Sequence, residues 1–140
     1  MKIEELNLNP LLLKAVKGMG FTEPMPIQEK CIPLIREGKD VVGQSSTGSG
    51  KTAAFGLTIL EKIRPGGGLQ VLVLTPTREL CVQVTEALNE FGRYIHARAA
   101  SVYGGVGIDP QIRAIRTADI VVGTPGRILD HLERRTIAFN

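Results

Sequence analysis

The strongest constraint on the fold is a run of small residues that separates an apolar segment from a helix-forming one. Val41 and Val42 lead into residues 43–50, which are mostly Gly, Ser and Thr. Lys51 and Thr52 then open an apolar stretch rich in Ala and Leu. Small residues let consecutive backbone N–H groups turn towards one anion, and a helix start adds its partial positive charge. The pattern predicts a strand, a phosphate-binding loop (P-loop) and a helix.

Lys51 and Thr52 would carry the chemistry of such a loop. In the pattern G-x-x-x-x-G-K-[ST], the lysine supplies an ammonium for the β- and γ-phosphates and the hydroxyl reaches Mg²⁺. The first Gly of that pattern is Ser45 in this chain, and the apolar and helical flanks compensate for the irregularity. The alternative interpretation is a flexible Ser/Gly turn with an exposed lysine.

The composition is that of one soluble globular domain, with 140 residues of which 43% are hydrophobic. No apolar run is long enough to cross a bilayer, and the first residues lack the apolar core of a signal peptide. We therefore expect a cytoplasmic protein. Cys31 and Cys81 lack the spacing of metal ligands, so packing thiols are expected.

The basic residues are unevenly distributed. The formal net charge is +3, and from Val71 onwards all Lys/Arg positions are arginine. The planar guanidinium suits phosphate oxygens, which makes nucleic acid a reasonable partner. A genome that favours arginine codons is the alternative explanation.

Apolar segments alternate with helical patterns along the chain. Strands are predicted at residues 41–44, 69–74, 97–103 and 118–122. Helices are predicted from Pro10 to Gly18, from Pro26 to Pro33 with a short turn to Glu37 and a Gly38 cap, from Arg78 to Tyr94, from Asp109-Pro110 and from Thr124-Pro125. This alternation predicts an α/β fold with a mainly parallel sheet flanked by helices. Ligands of such sheets bind beyond the carboxyl ends of the strands, and the unusual segments all lie there.

These segments together resemble the first RecA-like domain of the DEAD-box ATP-dependent RNA helicases. Residues 20–28 resemble the Q motif of that family, and residues 45–52 resemble motif I with Ser45 where Ala is usual. Residues 76–81 resemble motif Ia, with Cys81 where Ala is commonest. Gly104-Gly105 resembles the GG motif, and residues 124–127 resemble motif Ib. The resemblance implies a RecA-like P-loop NTPase domain, incomplete at its C-terminal end, with a Q-motif helical segment at 1–39 and partial domain 1 at 40–140.

The resemblance implies ATP and Mg²⁺ as cofactors. Gln28 offers an acceptor and a donor side by side, as the N6/N7 edge of adenine requires, and would select ATP over GTP; a solvated helical residue is the alternative. Phe21 would pack beside the base. Lys51 and Thr52 would be the catalytic residues of this chain, with Thr52 as the Mg²⁺ ligand. The expected nucleotide contacts are Phe21, Gln28, Ser46, Thr47, Gly48, Ser49, Gly50, Lys51 and Thr52.

The same resemblance implies sequence-independent binding of RNA phosphates. Bare N–H groups at helix starts bind anions whatever the base. A salt-bridged Arg78 and a plain turn at Gly104-Gly105 are the alternatives. The expected RNA contacts are Pro76, Thr77, Arg78, Gly104, Gly105, Thr124, Pro125, Gly126 and Arg127.

ATP hydrolysis on this fold needs an acidic residue at the carboxyl end of a strand. The predicted strands instead run out into Gln44, Thr75, Gly104 and Gly123, and the sequence contains no Asp-Glu-Ala-Asp box. We therefore expect the amino-terminal portion of a helicase. It would be inactive alone, need a second RecA-like domain in cis or in trans, and expose an apolar sheet edge. A non-catalytic RNA- or partner-binding module with a vestigial nucleotide pocket is the alternative; a small kinase is disfavoured because no lid or acceptor site is evident.

Overall fold

The computed structural model of the chain describes residues 2–42 and 49–138, and for residues 49 and 50 it describes the backbone alone. The chain divides into two compact units. The N-terminal unit comprises Met1–Lys62 and Glu90–Ile95, and the sheet unit comprises Ile63–Asn89 and His96–Asn140. The predicted boundary after residue 39 was drawn on motif content and stays a prediction. No helix in the described ranges is both long and apolar enough to span a membrane.

The N-terminal unit is helical. It contains a short 3₁₀ helix (Ile3–Leu6), α1 (Pro10–Gly18), α2 (Pro26–Arg36) and α3 (Ser49–Lys62). The predicted start of α1 is confirmed, since the Asn9 side chain accepts a hydrogen bond from the N–H of Leu11 at 2.8 Å. After α1 the chain turns through Gly20, whose φ of 91° is in the left-handed region that favours glycine. Phe21 follows directly after this turn.

Helix α2 contradicts the prediction that Pro33 ends it. The helix runs through Pro33 to Arg36, although proline removes one backbone hydrogen bond. The last turn is held from outside the helix: Lys62 Nζ donates to the carbonyl of Ile35 at 2.8 Å, and Ile32 is fully buried. Tertiary contacts therefore offset the lost bond. The predicted Gly38 cap is confirmed, because this residue has φ of 87° and its N–H donates to the Ile35 carbonyl.

The strand predicted at residues 41–44 is not seen in the described part of the chain. Val41 and Val42 belong to no strand, and Val42 is 95% exposed. Residues 43 and 44 lie outside the described ranges. Within the described ranges neither valine has a strand paired to it, and an unpaired strand is marginally stable in water.

The sheet unit contains the three other predicted strands. Its elements are β1 (Val71–Leu74), α4 (Arg78–Phe91), β2 (Ala99–Val102), α5 (Asp109–Ile115), β3 (Ile120–Gly123) and α6 (Pro125–Glu133). The strand order is β1-β3-β2 and both pairings are parallel, with Ile120 opposite Val71 on one side and Ala99 on the other. The central strand β3 is buried along its whole length, as a continuous apolar run predicts for a covered parallel strand. The predicted α/β fold with a parallel sheet is confirmed.

The core of the sheet unit is tightest where β3 ends. A Cβ on Gly123 would lie 2.6 Å from Val102 Cγ2 and from Ile128 Cγ1, and both of those side chains are buried. Only a residue without a side chain lets α6 pack this closely on the sheet. Cys81 is also fully buried and donates from Sγ to the carbonyl of Val122 at 3.1 Å. Burial raises the pKa of the Cys81 thiol, which fits the expected packing role.

Within the described residues, β1 and β2 are the two edge strands. Leu74, the last residue of β1, is 59% exposed, while the other three residues of this strand are partly buried; the expected apolar edge stays a prediction. The outer side of β2 is covered differently. The side-chain amide of Asn89 accepts from the N–H of Ala99 at 2.9 Å and donates to its carbonyl at 3.1 Å. One side chain thus occupies both backbone groups of that edge residue.

Candidate functional site

Lys51 and Thr52 lie in the first turn of α3 and are both half-buried. The N–H groups of a first helical turn have no partner within the helix, so this position suits an anion. Lys51 also lines a cavity of about 120 Å³ together with Ile27, Cys31 and Phe55. The loop residues Ser46, Thr47 and Gly48 lie outside the described residues, and Ser49 and Gly50 are described by their backbone alone. The start of α3 is therefore available for the predicted phosphate site, and the site itself stays a prediction.

Gln28 is buried, with only 1% of its surface exposed. The alternative of a solvated helical residue is therefore wrong. Its Oε1 accepts a hydrogen bond from the N–H of Met25 at 3.0 Å, which closes the first turn of α2. Gln28 does not line the cavity beside Lys51.

The helix that carries Gln28 is joined to the helix that carries Lys51. Arg36 of α2 makes a bidentate contact with Glu61 of α3, from Nε at 3.1 Å and from Nη2 at 2.9 Å. Its third donor, Nη1, reaches the carbonyl of Leu6 at 3.0 Å. A two-point contact between planar groups fixes orientation as well as distance. The spacing between the two predicted nucleotide-binding helices is set by this pair.

Phe21 is half-buried and packs edge-on against Phe91, with ring centroids 6.1 Å apart and an interplanar angle of 71°. It lines a second cavity of about 380 Å³ with Lys2, Lys17 and Thr22. The structure therefore places Phe21 and Lys51 in different cavities of the N-terminal unit. The role of Phe21 beside a base stays a prediction.

No group of three or more His, Cys, Asp or Glu able to hold a metal ion occurs in residues 2–42 and 49–138. Magnesium does not require such a group, because it is commonly held by one or two protein oxygens together with substrate phosphates and water. The half-buried hydroxyl of Thr52 in the first turn of α3 fits that mode of binding.

In the sheet unit, the segments predicted to bind RNA follow three adjacent strands. The strand ends are tied together, since Thr75 N–H donates to the Gly123 carbonyl at 2.9 Å and Thr124 N–H donates to the Val102 carbonyl at 3.1 Å. Because parallel strands have their carboxyl ends on the same side of a sheet, the predicted RNA contacts all lie at this end of the sheet. They are Pro76, Thr77, Arg78, Gly104, Gly105, Thr124, Pro125, Gly126 and Arg127.

Thr77 caps α4, because its Oγ1 accepts from the N–H of Leu80 at 3.2 Å. Its hydroxyl proton is not used by that bond, so Thr77 can still donate. Arg78 is exposed, and its guanidinium carbon lies 4.7 Å from the ring centroid of Tyr103. None of the ion pairs found among the described residues includes Arg78. The structure therefore does not support the salt-bridged alternative; Arg78 stacks on an aromatic ring instead.

The start of α6 leaves backbone donors without a side-chain cap. Thr124 is the N-cap residue but its side chain makes no capping bond, and Pro125 occupies the first helical position. The next two N–H groups, on Gly126 and Arg127, therefore lack a capping partner, which suits an anion. The Arg127 side chain points elsewhere. It donates to Gln111 Oε1 and to the Val106 carbonyl, each at 3.1 Å, and so holds the loop after β2.

Gln111 is the centre of a buried polar network. Its Nε2 donates to the carbonyl of Tyr103 at 2.9 Å, while Oε1 faces both Arg127 and His131 Nε2, the latter at 3.1 Å. Because Oε1 only accepts, this contact places a proton on His131 Nε2. His131 Nδ1 lies 2.7 Å from Thr136 Oγ1, and that hydroxyl donates to the backbone carbonyl of His131 at 3.1 Å. Burial and the nearby charge of Arg127 lower the pKa of His131. The network fixes the loop after β2 relative to α6.

Sequence reasoning did not identify Tyr103, Gln111 or His131. Tyr103 stands immediately before Gly104-Gly105, so an aromatic beside two glycines was an available signal. Gln111 and His131 carried no signal, because their importance comes from burial and mutual contact.

The parallel sheet with its phosphate-suited turns at the carboxyl ends of the strands is a partial RecA-like domain. Residues 25–140 match the DEAD/DEAH box helicase family. The chain belongs to that family, as the sequence motifs predicted.

Curated relatives and solved structures agree with this assignment. The chain is 55% identical to the DEAD-box ATP-dependent RNA helicase CshA of Streptococcus pneumoniae, over 98% of this chain and 26% of that protein. It is 50% identical to CshA of Bacillus subtilis, over 98% and 28%. The chain thus spans about a quarter of the length of these relatives.

Two solved structures show the same fold. A DEAD box protein of Methanococcus jannaschii superposes with a TM-score of 0.93 at 44% identity, covering 99% of this chain and 38% of the other. Dbp5 of S. cerevisiae bound to RNA and ADP BeF3 superposes with a TM-score of 0.87 at 34% identity, covering 98% and 35%.

Proposed function

We propose that this chain is the ATP- and RNA-binding amino-terminal portion of an ATP-dependent RNA helicase located in the cytoplasm. Family membership and relatives of that name support the proposal. One observation supports RNA binding in particular. The three segments that follow β1, β2 and β3 lie together at the carboxyl ends of these strands, and one of them offers uncapped backbone N–H groups. In this proposal Thr77, Arg78, Gly104-Gly105 and residues 124–127 contact RNA phosphates without reading bases.

For the nucleotide, Lys51 would contact the phosphates, Thr52 would hold Mg²⁺, and Gln28 would meet the adenine edge. Bound Mg²⁺ neutralises charge on the phosphate oxygens. The described strands end in Leu74, Val102 and Gly123, and no carboxylate follows them directly in the sequence. We therefore expect the chain to bind ATP without hydrolysing it, and to need a second RecA-like domain in cis or in trans for activity.

Titration with a fluorescent ATP analogue tests the nucleotide site. Lys51→Ala removes a charge-assisted contact worth about 1.5–3 kcal/mol, so affinity should fall roughly ten- to a hundredfold. Lys30→Ala, which alters an exposed lysine of α2, is the matched control and should bind like the wild type. Equal affinity for the Lys51 and Lys30 variants would disprove the nucleotide site. If GTP competes as well as ATP, Gln28 does not select adenine over guanine.

RNA binding distinguishes this proposal from the non-catalytic module. If the nucleotide pocket is vestigial, binding of single-stranded RNA is insensitive to ATP. If it is functional, ATP with Mg²⁺ changes RNA affinity. Arg78→Gln should weaken binding and reduce the salt slope by about 0.7, the value for one phosphate contact on a single strand. Arg113→Gln, an exposed arginine of α5, should leave the slope unchanged.

A further inference from the structure

The sheet unit has a second cationic surface at the opposite end of its strands. A groove of about 560 Å³ is lined by residues that precede β1, β2 and β3. We call it the basic groove. Its lining residues are Pro65, Gly66, Gly68, His96, Arg98, Arg116, Thr117, Ala118 and Asp119. Since all three strands are parallel, the basic groove lies at their amino ends, whereas the predicted RNA contacts lie at their carboxyl ends.

The arginines of the basic groove have no ion-pair partner among the described residues. Arg98 and Arg116 are exposed, and neither takes part in an ion pair found in residues 2–42 and 49–138. The acidic lining residue, Asp119, is 1% exposed. Its carboxylate is held by backbone N–H groups and offers no partner to the guanidinium groups. The arginines are therefore available to an external anion.

Asp119 also makes the groove a fixed surface. Its Oδ1 accepts from Gly66 N–H at 2.9 Å and its Oδ2 accepts from Arg98 N–H at 3.0 Å. The backbone carbonyl of Asp119 accepts from Gln70 N–H at 2.8 Å. One buried residue thereby ties the loop before β1 and the start of β2 to β3. A preorganised cationic surface binds with less entropic cost than a flexible one.

We propose that the basic groove is a second site for the phosphate backbone of RNA, contacted by Arg98 and Arg116. The arginine fork suits phosphate oxygens. The remaining lining residues are small or polar, so the groove lacks the large apolar anchors that dominate protein–protein contacts. This favours a nucleic-acid backbone over an acidic protein. The ligand class rests on the proposed function, but the residues are separate from those assigned to it.

Anisotropy of a fluorescein-labelled oligouridine of roughly 20 nucleotides, measured over a range of salt concentrations, tests the site. Arg98→Gln/Arg116→Gln should reduce the salt slope by about 1.4, twice the single-contact value of 0.7. Affinity should fall roughly tenfold near physiological salt. The charge-preserving variant Arg98→Lys/Arg116→Lys should keep most of the slope. Arg113→Gln removes an arginine that does not line the groove and should match the wild type.

An unchanged slope in the glutamine double variant overturns the groove site, whatever Arg78→Gln does. An equal loss with Arg113→Gln also overturns it, since net charge alone would then explain binding. Polyglutamate that displaces RNA at equal charge concentration points to an acidic protein and overturns it as well. Loss in the groove variant with no loss in Arg78→Gln supports the groove and contradicts the proposed carboxyl-end site. No RNA binding by the wild type overturns both.

Discussion

The two ends of the β1–β3 sheet are each closed by a buried polar side chain, but they expose different chemical groups. At the amino end, the anionic Asp119 collects two backbone N–H groups, and Arg98 and Arg116 stay exposed without ion-pair partners among the described residues. At the carboxyl end, the neutral Gln111 shares its oxygen with Arg127. That arginine is then used to hold a loop.

The difference shows that the charge of the buried anchor decides which groups are left for a ligand. The carboxylate of Asp119 accepts from backbone N–H groups, so Arg98 and Arg116 stay exposed in the groove. The amide oxygen of Gln111 accepts from the Arg127 side chain, and the backbone N–H groups at the start of α6 stay uncapped. One end should therefore bind phosphate through guanidinium groups and the other chiefly through backbone N–H groups and Arg78.

The largest predicted effect follows from removing the anionic anchor. Asp119→Ala removes the carboxylate that accepts from two part-buried backbone N–H groups. Since hydrogen bonds to a charged group are worth about 1.5–3 kcal/mol each, the free energy of unfolding should fall by about 3 kcal/mol. Urea denaturation measures this, and Asp40→Ala, at an exposed aspartate, is the control. If both variants unfold at the same urea concentration, Asp119 does not hold the amino end.

The next effect concerns close packing at the carboxyl end. Gly123→Ala should cost about 1–3 kcal/mol, because the added methyl overlaps the buried side chains of Val102 and Ile128. Gly126→Ala is a matched control three residues away, since a Cβ there meets nothing within 4 Å. Similar unfolding midpoints for the two alanine variants would show that α6 can move away from the sheet at little cost.

The buried His131, which contacts Gln111, predicts that the stability of the fold depends on pH. The ordinary pKa of histidine is 6.5 and that of His131 in the folded chain is lower, so the unfolded chain takes up a proton first as the pH falls. Stability should therefore fall between about pH 7.5 and the folded-state pKa and then level off, at about 1.4 kcal/mol for each unit of lowering. His131→Asn should flatten this dependence when urea denaturation is repeated at about pH 7.5 and about pH 5.5. His96→Asn, at an exposed histidine, should retain it; a flat wild-type profile would contradict a buried neutral His131.

The smallest effect is expected for an exposed ion pair on α6. Arg134 Nε lies 2.8 Å from Asp130 Oδ1 and lowers the pKa of that carboxyl. Exposed pairs of this kind contribute little after solvent screening. Arg134→Gln should leave the thermal midpoint of unfolding unchanged, and a clear drop would show that α6 depends on surface charge as much as on its buried anchors.

Much of the sheet unit could be predicted from the sequence because apolar runs determine which segments are covered. The described strands β1 and β2 lie within the predicted segments and are shorter, because ladder pairing with β3 limits their length. Strand β3 extends one residue beyond the predicted segment, to Gly123. The motif segments that follow β1, β2 and β3 were correctly placed beyond the strand ends. Their gathering at one edge followed from parallel topology alone.

Other features depended on contacts that no local pattern encodes. Pro33 remains helical because side chains from elsewhere hold the final turn of α2. The burial of Gln28 depends on how the rest of the N-terminal unit packs around α2, which its place on the helix does not reveal. The partners of Arg78 and Arg127 were not evident, since Tyr103, Gln111 and Val106 lie on other elements. A single sequence reports propensity and periodicity; it does not report which distant group satisfies a given donor.

The amide of Asn89, which occupies the N–H and carbonyl of Ala99, has a consequence for how copies of this chain meet one another. An edge strand with open backbone groups can pair with the same strand of another molecule. The Asn89 side chain takes the place of a neighbouring strand at one residue, because it occupies the two backbone groups of Ala99 that such a strand would pair with. Asn89→Leu should uncover it, and light scattering should then rise with protein concentration. In that sense a single side chain decides whether β2 is the end of a sheet or the start of a longer one.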